Sequence, residues 1–224
     1  MTVHRIPAFI ALVFAFGLGV AVYAQQGRAT NITSDVLRRA STAGDALPGS
    51  WLSYGRNQAE TRYSTLKQID STNAKRLGLA WSYVMGAGGG NQEGTPLMWN
   101  NTLYGITSWS VVFALDARTG QELWRWDPEI NQTTVRPVIC CGIVNRGIAL
   151  YNGMIIAPAI DGRLFALNAT TGDALWHARL GSSVSNGPST YELDGTQYLL
   201  VGAGDTLWAF AMQHDERKST PASK

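Results

Sequence analysis

Two adjacent cysteines, Cys140 and Cys141, are the residues of this chain most clearly suited to chemistry, and the sequence contains no other cysteines. Neighbouring cysteines can join only through a strained eight-membered ring, because disulfides occupy narrow ranges of dihedral angle and Cα separation. Strained features cluster at functional sites. The pair is therefore a candidate functional site, either as a disulfide or as two thiols.

The first 24 residues have the pattern of a secretory signal. His4 and Arg5 make a positive start, residues 8–22 are apolar, and residues 22–24 offer small side chains for cleavage. The alternative is a membrane anchor, but a spanning helix needs about 20 apolar residues, and this stretch is shorter. We therefore expect export to a bacterial periplasm. Disulfides persist there, which favours an oxidised cysteine pair.

The charge balance gives no reason to expect a nucleic-acid or anionic-membrane partner. The chain has 18 Lys and Arg against 16 Asp and Glu, a net charge of +2. Loss of residues 1–24 removes Arg5 and no acid, which leaves +1. A surface so nearly neutral has no basic footprint for nucleic acid.

A motif that ends in tryptophan occurs twice, 52 residues apart. Residues 113–124 read Phe-Ala-Leu-Asp-Ala-Arg-Thr-Gly-Gln-Glu-Leu-Trp, and residues 165–176 read Phe-Ala-Leu-Asn-Ala-Thr-Thr-Gly-Asp-Ala-Leu-Trp. Alternation in Phe-Ala-Leu predicts a strand, Thr-Gly a tight turn, and the segment with Trp a returning strand. A shortened third copy occupies residues 207–211, and Trp81 resembles the end of an earlier unit. We expect each Trp to pack against the neighbouring unit.

Each unit also contains a two-residue hairpin signal, at Asn100-Asn101, Asn152-Gly153 and Asp194-Gly195. Four short strands in about 40–50 residues are typical of a propeller blade. A β-sandwich would explain the hairpins, but not a turn motif that recurs with its Trp in phase. The sequence therefore predicts an all-β fold, a partial β-propeller of about three four-stranded antiparallel blades.

Several further motifs accompany the repeat: Trp51-x-x-Tyr54-Gly55-x-Asn57, Thr-Arg-Tyr-Ser at 61–64, Gln-Glu-Gly-Thr-Pro-Leu at 92–97, Cys-Cys-x-x-x-Asn-Arg-Gly at 140–147 and Asp-Gly-Arg-Leu at 161–164. With these motifs the chain resembles the quinoprotein alcohol dehydrogenases, the methanol and ethanol dehydrogenase type that uses pyrroloquinoline quinone and calcium. The resemblance covers nearly all of residues 51–180. It implies periplasmic oxidation of a small-molecule alcohol to an aldehyde, with electrons passed to a cytochrome.

The resemblance assigns four residues to a cofactor site. In that family a vicinal disulfide lies flat against one face of the quinone, a role that falls here to Cys140 and Cys141. The family's glutamate before Thr-Pro and its arginine after the cysteines hydrogen-bond the cofactor, and these are Glu93 and Arg146. A guanidinium suits the cofactor's carboxylates because it pairs with them bidentately. From the residues alone, Glu93 would be a solvated loop residue and Arg146 part of a surface ion pair.

Beyond about residue 180 the resemblance moves to another part of the family. Residues 185–198 resemble its final blade, so the chain reads as the family's first segment joined to its last, with a junction between Leu180 and Asn186. The predicted organisation is a signal peptide (1–24), a polar N-terminal segment (25–50), propeller blades (51–212; the family's N-terminal part to about 180 and its C-terminal blade from about 183) and a disordered tail (213–224).

Three smaller features complete the sequence-based expectations. Residues 34–40 predict a short helix capped by Ser34 or Asp35. The glycine-rich residues 86–90 lack the Gly-Lys-Ser/Thr ending of a phosphate loop and predict a flexible loop. The three histidines have no metal-ligand spacing and form no Ser-His-Asp set; they are His4, His177 and His214.

The family's calcium ligands, its aspartate base and the Trp on the cofactor's other face have no counterpart in this sequence, so no residue is assigned to metal or catalysis. One hypothesis is therefore a quinone-binding protein derived from a periplasmic alcohol dehydrogenase, weak or inactive alone. The other is a non-catalytic propeller scaffold or binding module, or a non-functional remnant. Open blade edges also predict self-association.

Overall fold

The computed structural model describes residues 31–86, 92–139, 142–184 and 186–212. Its strands form three antiparallel sheets. Sheet 1 contains β1 (Leu97–Trp99), β2 (Thr102–Ile106), β3 (Val112–Asp116) and β4 (Glu122–Trp126). Sheet 2 contains β5 (Ala149–Tyr151), β6 (Met154–Pro158), β7 (Arg163–Asn168) and β8 (Ala174–Arg179). Sheet 3 contains β9 (Ser189–Leu193), β10 (Thr196–Ala203) and β11 (Thr206–Ala211).

This arrangement confirms the predicted all-β partial propeller and corrects one detail. Sheets 1 and 2 have four strands each, whereas sheet 3 has three in the part of the chain that the structure describes. The physical reason lies in β11, the repeat equivalent of β3 and β7. No Thr-Gly turn follows it, and that turn leads from β3 to β4 and from β7 to β8.

The predicted hairpins are present at all three positions. Their central residues have positive φ angles: 50° and 59° at Asn100-Asn101, 48° and 76° at Asn152-Gly153, and 52° and 75° at Asp194-Gly195. Two positive φ values are the mark of type I′ turns, whose twist matches that of the strands they join. The turns thereby fix the strand register, with Trp99 opposite Thr102 in sheet 1.

Tryptophans join one sheet to the next. The Trp124 indole of β4 donates to the Ala169 carbonyl at 3.2 Å, and its ring lies against Gly172, where an added Cβ would be 2.7 Å from the ring. Trp81 donates to the Ala117 carbonyl at 3.3 Å and lies in the same way against Gly120. The expectation that each Trp packs against the neighbouring unit is confirmed for these two.

An acidic or amide side chain closes each of these turns. Asp116 Oδ1 accepts from the backbone N–H groups of Arg118 and Thr119, both at 2.9 Å. In sheet 2, Asn168 Oδ1 accepts from Thr170 and Thr171 at 2.8 and 3.2 Å. The bonds from Thr119 and then Arg118 lower the pKa of Asp116, because they stabilise its charged form. An acceptor oxygen is the shared requirement, so Asp and Asn serve equally.

Sheet 2 lies between the other two sheets. Phe165 on β7 meets Trp126 of sheet 1 edge to face, with ring centroids 4.6 Å apart. Its neighbours Leu164 and Ala166 belong instead to a buried cluster with Val201 of sheet 3. Successive side chains of a strand point to opposite faces. Sheets 1 and 3 therefore cover opposite faces of sheet 2.

The segment before sheet 1 differs from the sequence-based expectation in two ways. Helix α1 spans Ser34–Arg39, but its N-cap is Thr33, whose Oγ1 accepts from the Val36 N–H at 3.4 Å, rather than Ser34 or Asp35. The propeller blades predicted from residue 51 onward begin only at β1, Leu97–Trp99. Trp51 itself makes an isolated bridge to Met98.

The other helices of the described residues are short. They are a 3₁₀ turn at Ala74–Arg76, helix α2 at Gln132–Val135 and a second 3₁₀ turn at Arg136–Val138. Within the described ranges no helix has the length and apolar character needed to cross a membrane. The predicted signal peptide (1–24), most of the glycine-rich loop (87–90), both cysteines and the tail (213–224) lie outside the described residues.

We predict that Gly172→Ala destabilises the protein by about 2–4 kcal/mol, because backbone strain adds to a collision with the indole. Gly172 has a φ of +79°, and the added Cβ would be 2.7 Å from Trp124. Gly153 has a φ of +76° and nothing within 4 Å, so Gly153→Ala isolates the strain and should lower the unfolding free energy by only about 1 kcal/mol. Urea denaturation measures both; equal losses would contradict the role of the indole contact.

Candidate functional site

A cavity of about 570 Å³ lies where the N-terminal segment meets the first strand of each sheet. Its walls include Leu97 of β1, Leu150 of β5 and Thr190 of β9, with Leu52 and Tyr54 from the N-terminal segment. The volume falls within the range of about 300–1,000 Å³ that is usual for small-molecule sites. The cavity thus offers room for one small ligand.

Two of the residues predicted from the sequence meet at this cavity. Glu93 precedes β1 and Arg146 precedes β5, and the Arg146 Nε lies 3.2 Å from Glu93 Oε2. Both side chains line the cavity and remain partly open to solvent, 39% for Glu93 and 52% for Arg146. The fold therefore brings together loops that are 53 residues apart in the sequence.

A buried asparagine holds the loop that carries Arg146. Asn145 is only 1% exposed, and its Nδ2 donates to the Pro158 carbonyl at 2.7 Å and to Ser110 Oγ at 3.1 Å. Its Oδ1 accepts from the Gly147 N–H at 3.1 Å. Ser110 Oγ also accepts from the Ile160 N–H at 3.0 Å, which ties the loop to both sheets. This network fixes the backbone on either side of Arg146.

The role of Asn145 escaped the sequence reasoning, although the residue stands in a quoted motif. Only its place between the cysteine pair and Arg146 could have drawn attention to it. A lone Asn in a loop is more often exposed than buried. Burial with every polar atom paired is a property of the fold, which no periodicity reports.

Both flanks of the cysteine pair pack into one hydrophobic cluster. Trp109 and Ile160 are buried at its centre, Ile143 is buried against them, and Ile139 is partly buried there. Gly142, the residue after the pair, has a φ of +100°. Cys140 and Cys141 themselves lie outside the described residues, so their disulfide and their contact with a cofactor stay predictions.

A second arginine approaches the cavity from the N-terminal segment. The Arg62 guanidinium lies 4.2 Å from the ring centroid of Tyr54, and its Nη2 is 3.5 Å from Thr95 Oγ1. Tyr54 and Thr95 both line the cavity. Arg62 stands in a motif quoted from the sequence without a role, and the fold places it beside two lining residues.

The loop that carries Tyr54 is anchored by a buried arginine. Arg56 is 3% exposed and donates to the carbonyls of Pro48 and Ser50 and to Thr65 Oγ1, each at 3.1 Å. Backbone carbonyls away from water need such partners. The guanidinium thus supplies hydrogen bonds that hold residues 48–65 together, as a strand ladder does in the sheets.

The acidic residues do not gather into a metal centre. Within the described ranges no group of three or more His, Cys, Asp or Glu side chains could hold a metal ion. The carboxylates that line the cavity are Glu60 and Glu93. The Arg146 guanidinium lines the cavity beside them.

Comparison with protein families gives two matches. Residues 51–154 match the PQQ model, described as the glucose/ethanol/alcohol dehydrogenase β-propeller domain. Residues 108–218 match the outer membrane protein assembly factor BamB.

Among curated proteins, the quinohemoprotein alcohol dehydrogenase of Comamonas testosteroni is 42% identical over 178 residues, which is 78% of this chain and 25% of the relative. The dehydrogenase subunit of alcohol dehydrogenase (quinone) from Gluconobacter oxydans is 41% identical over 199 residues, 86% of this chain and 24% of the relative.

Solved structures show a similarity to the same class of enzymes. The crystal structure of the Comamonas testosteroni enzyme superposes with a TM-score of 0.64 and 36% identity, over 75% of this chain and 28% of the other. A europium-containing methanol dehydrogenase gives a TM-score of 0.63 and 32% identity, over 73% and 30%. Over most of its length the chain is similar to the quinoprotein alcohol dehydrogenases. It spans about a quarter of the length of the curated relatives it matches.

We predict that Asn145→Ala lowers the unfolding free energy by about 2–4 kcal/mol, because it leaves the buried Pro158 carbonyl without its donor and the Gly147 N–H without its acceptor. Asn186→Ala is the control. Asn186 is exposed and makes one long bond, 3.4 Å, to the Gly187 carbonyl, so the change should stay within about 0.5 kcal/mol. Chemical denaturation of both variants measures the difference, and similar small losses would show that the network does not hold the loop.

Proposed function

We propose that this chain is a pyrroloquinoline quinone-binding protein derived from a periplasmic alcohol dehydrogenase, with little or no turnover alone. The observation that carries the proposal is the Glu93–Arg146 pair, joined at 3.2 Å on the wall of the cavity. The similarity to quinoprotein alcohol dehydrogenases suggests the class of cofactor, and the loops that carry Glu93 and Arg146 suggest where it binds.

The residues present fit the anionic side of such a cofactor. Pyrroloquinoline quinone carries carboxylates, and Arg146 is half exposed with its Nε towards Glu93, which leaves the two terminal nitrogens for a ligand. Arg62 adds a second cation beside the hydroxyl of Thr95. Ser189 adds a hydroxyl-bearing residue to the lining from sheet 3.

Each of these residues has a distinct part in binding. Arg146 pairs with a cofactor carboxylate, and Glu93 orients the guanidinium for that contact. Asn145 holds the loop so that little side-chain and backbone freedom is lost on binding. The Cys140–Cys141 disulfide supplies a rigid, apolar wall that excludes water from one face. When bound, the quinone supplies two-electron oxidation of an alcohol to an aldehyde.

Turnover needs metal ligands and a base that are not assigned to any residue of this chain. In the family a calcium ion acts as a Lewis acid and an aspartate removes the hydroxyl proton. No described residue is assigned to either role, so binding without efficient oxidation is the expected state. An alcohol and a cytochrome electron acceptor are the proposed partners of an active assembly, and one relative is named 1-butanol dehydrogenase (cytochrome c).

The proposed compartment is the periplasm. It follows from the signal-like residues 1–24 and is consistent with a disulfide at the cysteine pair, since disulfides persist in oxidising compartments.

A second candidate function is a non-catalytic binding or scaffold module. It is favoured by the match of residues 108–218 to the outer membrane protein assembly factor BamB, which covers sheets 2 and 3 and part of sheet 1. The cysteine pair argues against this candidate, because a scaffold has no use for a strained ring. The same candidate includes a remnant with no function.

We predict saturable binding of pyrroloquinoline quinone, with Arg146→Ala raising Kd about 10- to 100-fold through the loss of one charge-assisted contact. Arg146→Lys should give an intermediate Kd, because it keeps the charge without the planar fork. Arg118→Ala, on the exposed turn after β3, is the matched control and should leave Kd unchanged. Quenching of tryptophan fluorescence on titration gives each Kd. No binding by the full chain at high micromolar quinone would reject this function in favour of the scaffold or remnant.

We predict no alcohol oxidation above the rate of free quinone when the chain is supplied with quinone and calcium. The physical reason is the missing base and metal ligands. Dye-linked oxidation of ethanol and butanol measures the rate. A Cys140→Ala/Cys141→Ala double variant is the control, and turnover by the natural chain that this variant abolishes would contradict the expected inactivity.

A further inference from the structure

One end of the array of sheets has an open edge. In sheets 1 and 2 the third strands, β3 and β7, pair on their outer side with β4 and β8. Their repeat equivalent β11 pairs with β10 alone in the described part of the chain. Large apolar residues are exposed there: Leu207 is 74% exposed, Trp208 37% and Met212 90%.

The other end has a strand-like segment without a sheet. Residues 77–84 are extended, and no backbone hydrogen bond of residues 78–84 occurs within the described ranges. Its exposed apolar side chains include Leu77 at 63%, Leu79 at 85% and Val84 at 85%, whereas Trp81 and Tyr83 contact sheet 1. Backbone N–H and C=O groups of this kind are ready to pair with another strand.

The side chains of this segment show which strand it corresponds to. Trp81 lies against Gly120 of sheet 1 as Trp124 of β4 lies against Gly172 of sheet 2. Two residues later, Tyr83 contacts Phe113 at 5.3 Å, as Trp126 of β4 contacts Phe165. Residues 78–83 therefore make the same contacts with sheet 1 that β4 makes with sheet 2. They correspond to the fourth strand of a blade, and the described residues place no other strand of that blade beside them.

A single copy cannot bring these two ends together. Residues 77–84 lie on the face of sheet 1 that carries Phe113, whereas sheet 3 lies beyond sheet 2. Residues 213–224, which follow β11, do not suit the open edge either. They are Gln-His-Asp-Glu-Arg-Lys-Ser-Thr-Pro-Ala-Ser-Lys, with no large apolar side chain and a proline.

We propose that residues 77–84 of one copy pair with β11 of a second copy and complete its sheet 3 as the fourth strand. The repeat fixes the register, because Ala114 lies opposite Trp124 and Ala166 opposite Trp176. The equivalent partners across the new contact are Ala209 and Trp81. Such strand addition is a common mode of recognition, and the contact is head-to-tail, since two different surfaces meet.

Charge and area both favour a second copy as the occupant. Natural edge strands are commonly protected by charges or proline, but neither residues 77–84 nor residues 206–212 contain any. The six exposed side chains and the two strand edges together offer on the order of 1,000 Å², the size at which specific interfaces begin. This proposal is independent of quinone binding.

Light scattering on the full chain after size exclusion tests the contact. The mass should at least double with rising concentration. Leu79→Lys and Leu207→Lys, which place a charge on one surface each, should both give monomers. Leu193→Lys is the matched control: Leu193 is 58% exposed on β9, which β10 separates from β11, and this variant should associate like the natural chain. Circular dichroism checks that the variants stay folded.

Mixing the two monomeric variants separates head-to-tail pairing from other arrangements. The Leu79→Lys copy keeps an intact β11, and the Leu207→Lys copy keeps an intact 77–84 segment. An equimolar mixture should therefore form one-to-one dimers and nothing larger. The proposal is overturned if the natural chain stays monomeric, if only Leu207→Lys prevents association, as pairing of β11 with β11 would require, or if the mixture stays monomeric.

Discussion

The contact between a tryptophan ring and the glycine of the next sheet's turn is the constraint on which the rest of this structure depends. Trp81 and Trp124 each donate an indole N–H to a turn carbonyl and lie where a Cβ would collide. The contact sets the spacing of neighbouring sheets. It thereby sets how close the loops before β1 and β5 come, and those loops carry Glu93 and Arg146. The site is thus a consequence of how sheets stack, not of any one sheet.

Stacking alone would leave those loops with too much freedom to hold a ligand. The Asn145 network supplies the missing rigidity, because it joins Ser110 of the β2–β3 loop to the Pro158 carbonyl at the end of β6. Buried polar groups that are fully paired specify one arrangement, since any other leaves a polar atom unsatisfied. The same amide therefore stabilises the stack and orients the adjacent guanidinium.

Local rules predict the repeating part of this fold well and the irregular part poorly. The hairpins and the Trp contacts follow from short sequence signals, so their places could be predicted. Residues 52–86 could not, because side-chain hydrogen bonds hold the start of this segment, from Arg56 to the carbonyls of Pro48 and Ser50, where the expected strands would have used a ladder. The Thr33 cap was missed by one residue, within ordinary error for a helix end. Glu93 and Arg146 came from family resemblance; no periodicity marks them as neighbours.

The proposed quinone binding and the proposed association use different parts of the fold. The cavity lies at the first strands β1, β5 and β9, whereas the open surfaces belong to the third or fourth positions, in β11 and residues 77–84. A charge placed at one edge is separated from the other by the width of a sheet, and exposed charges at such distances are largely screened. The two properties can therefore be lost separately. Under the two proposals, a variant that binds no quinone should still associate, and a monomeric variant should still bind the cofactor between the loops that Asn145 fixes.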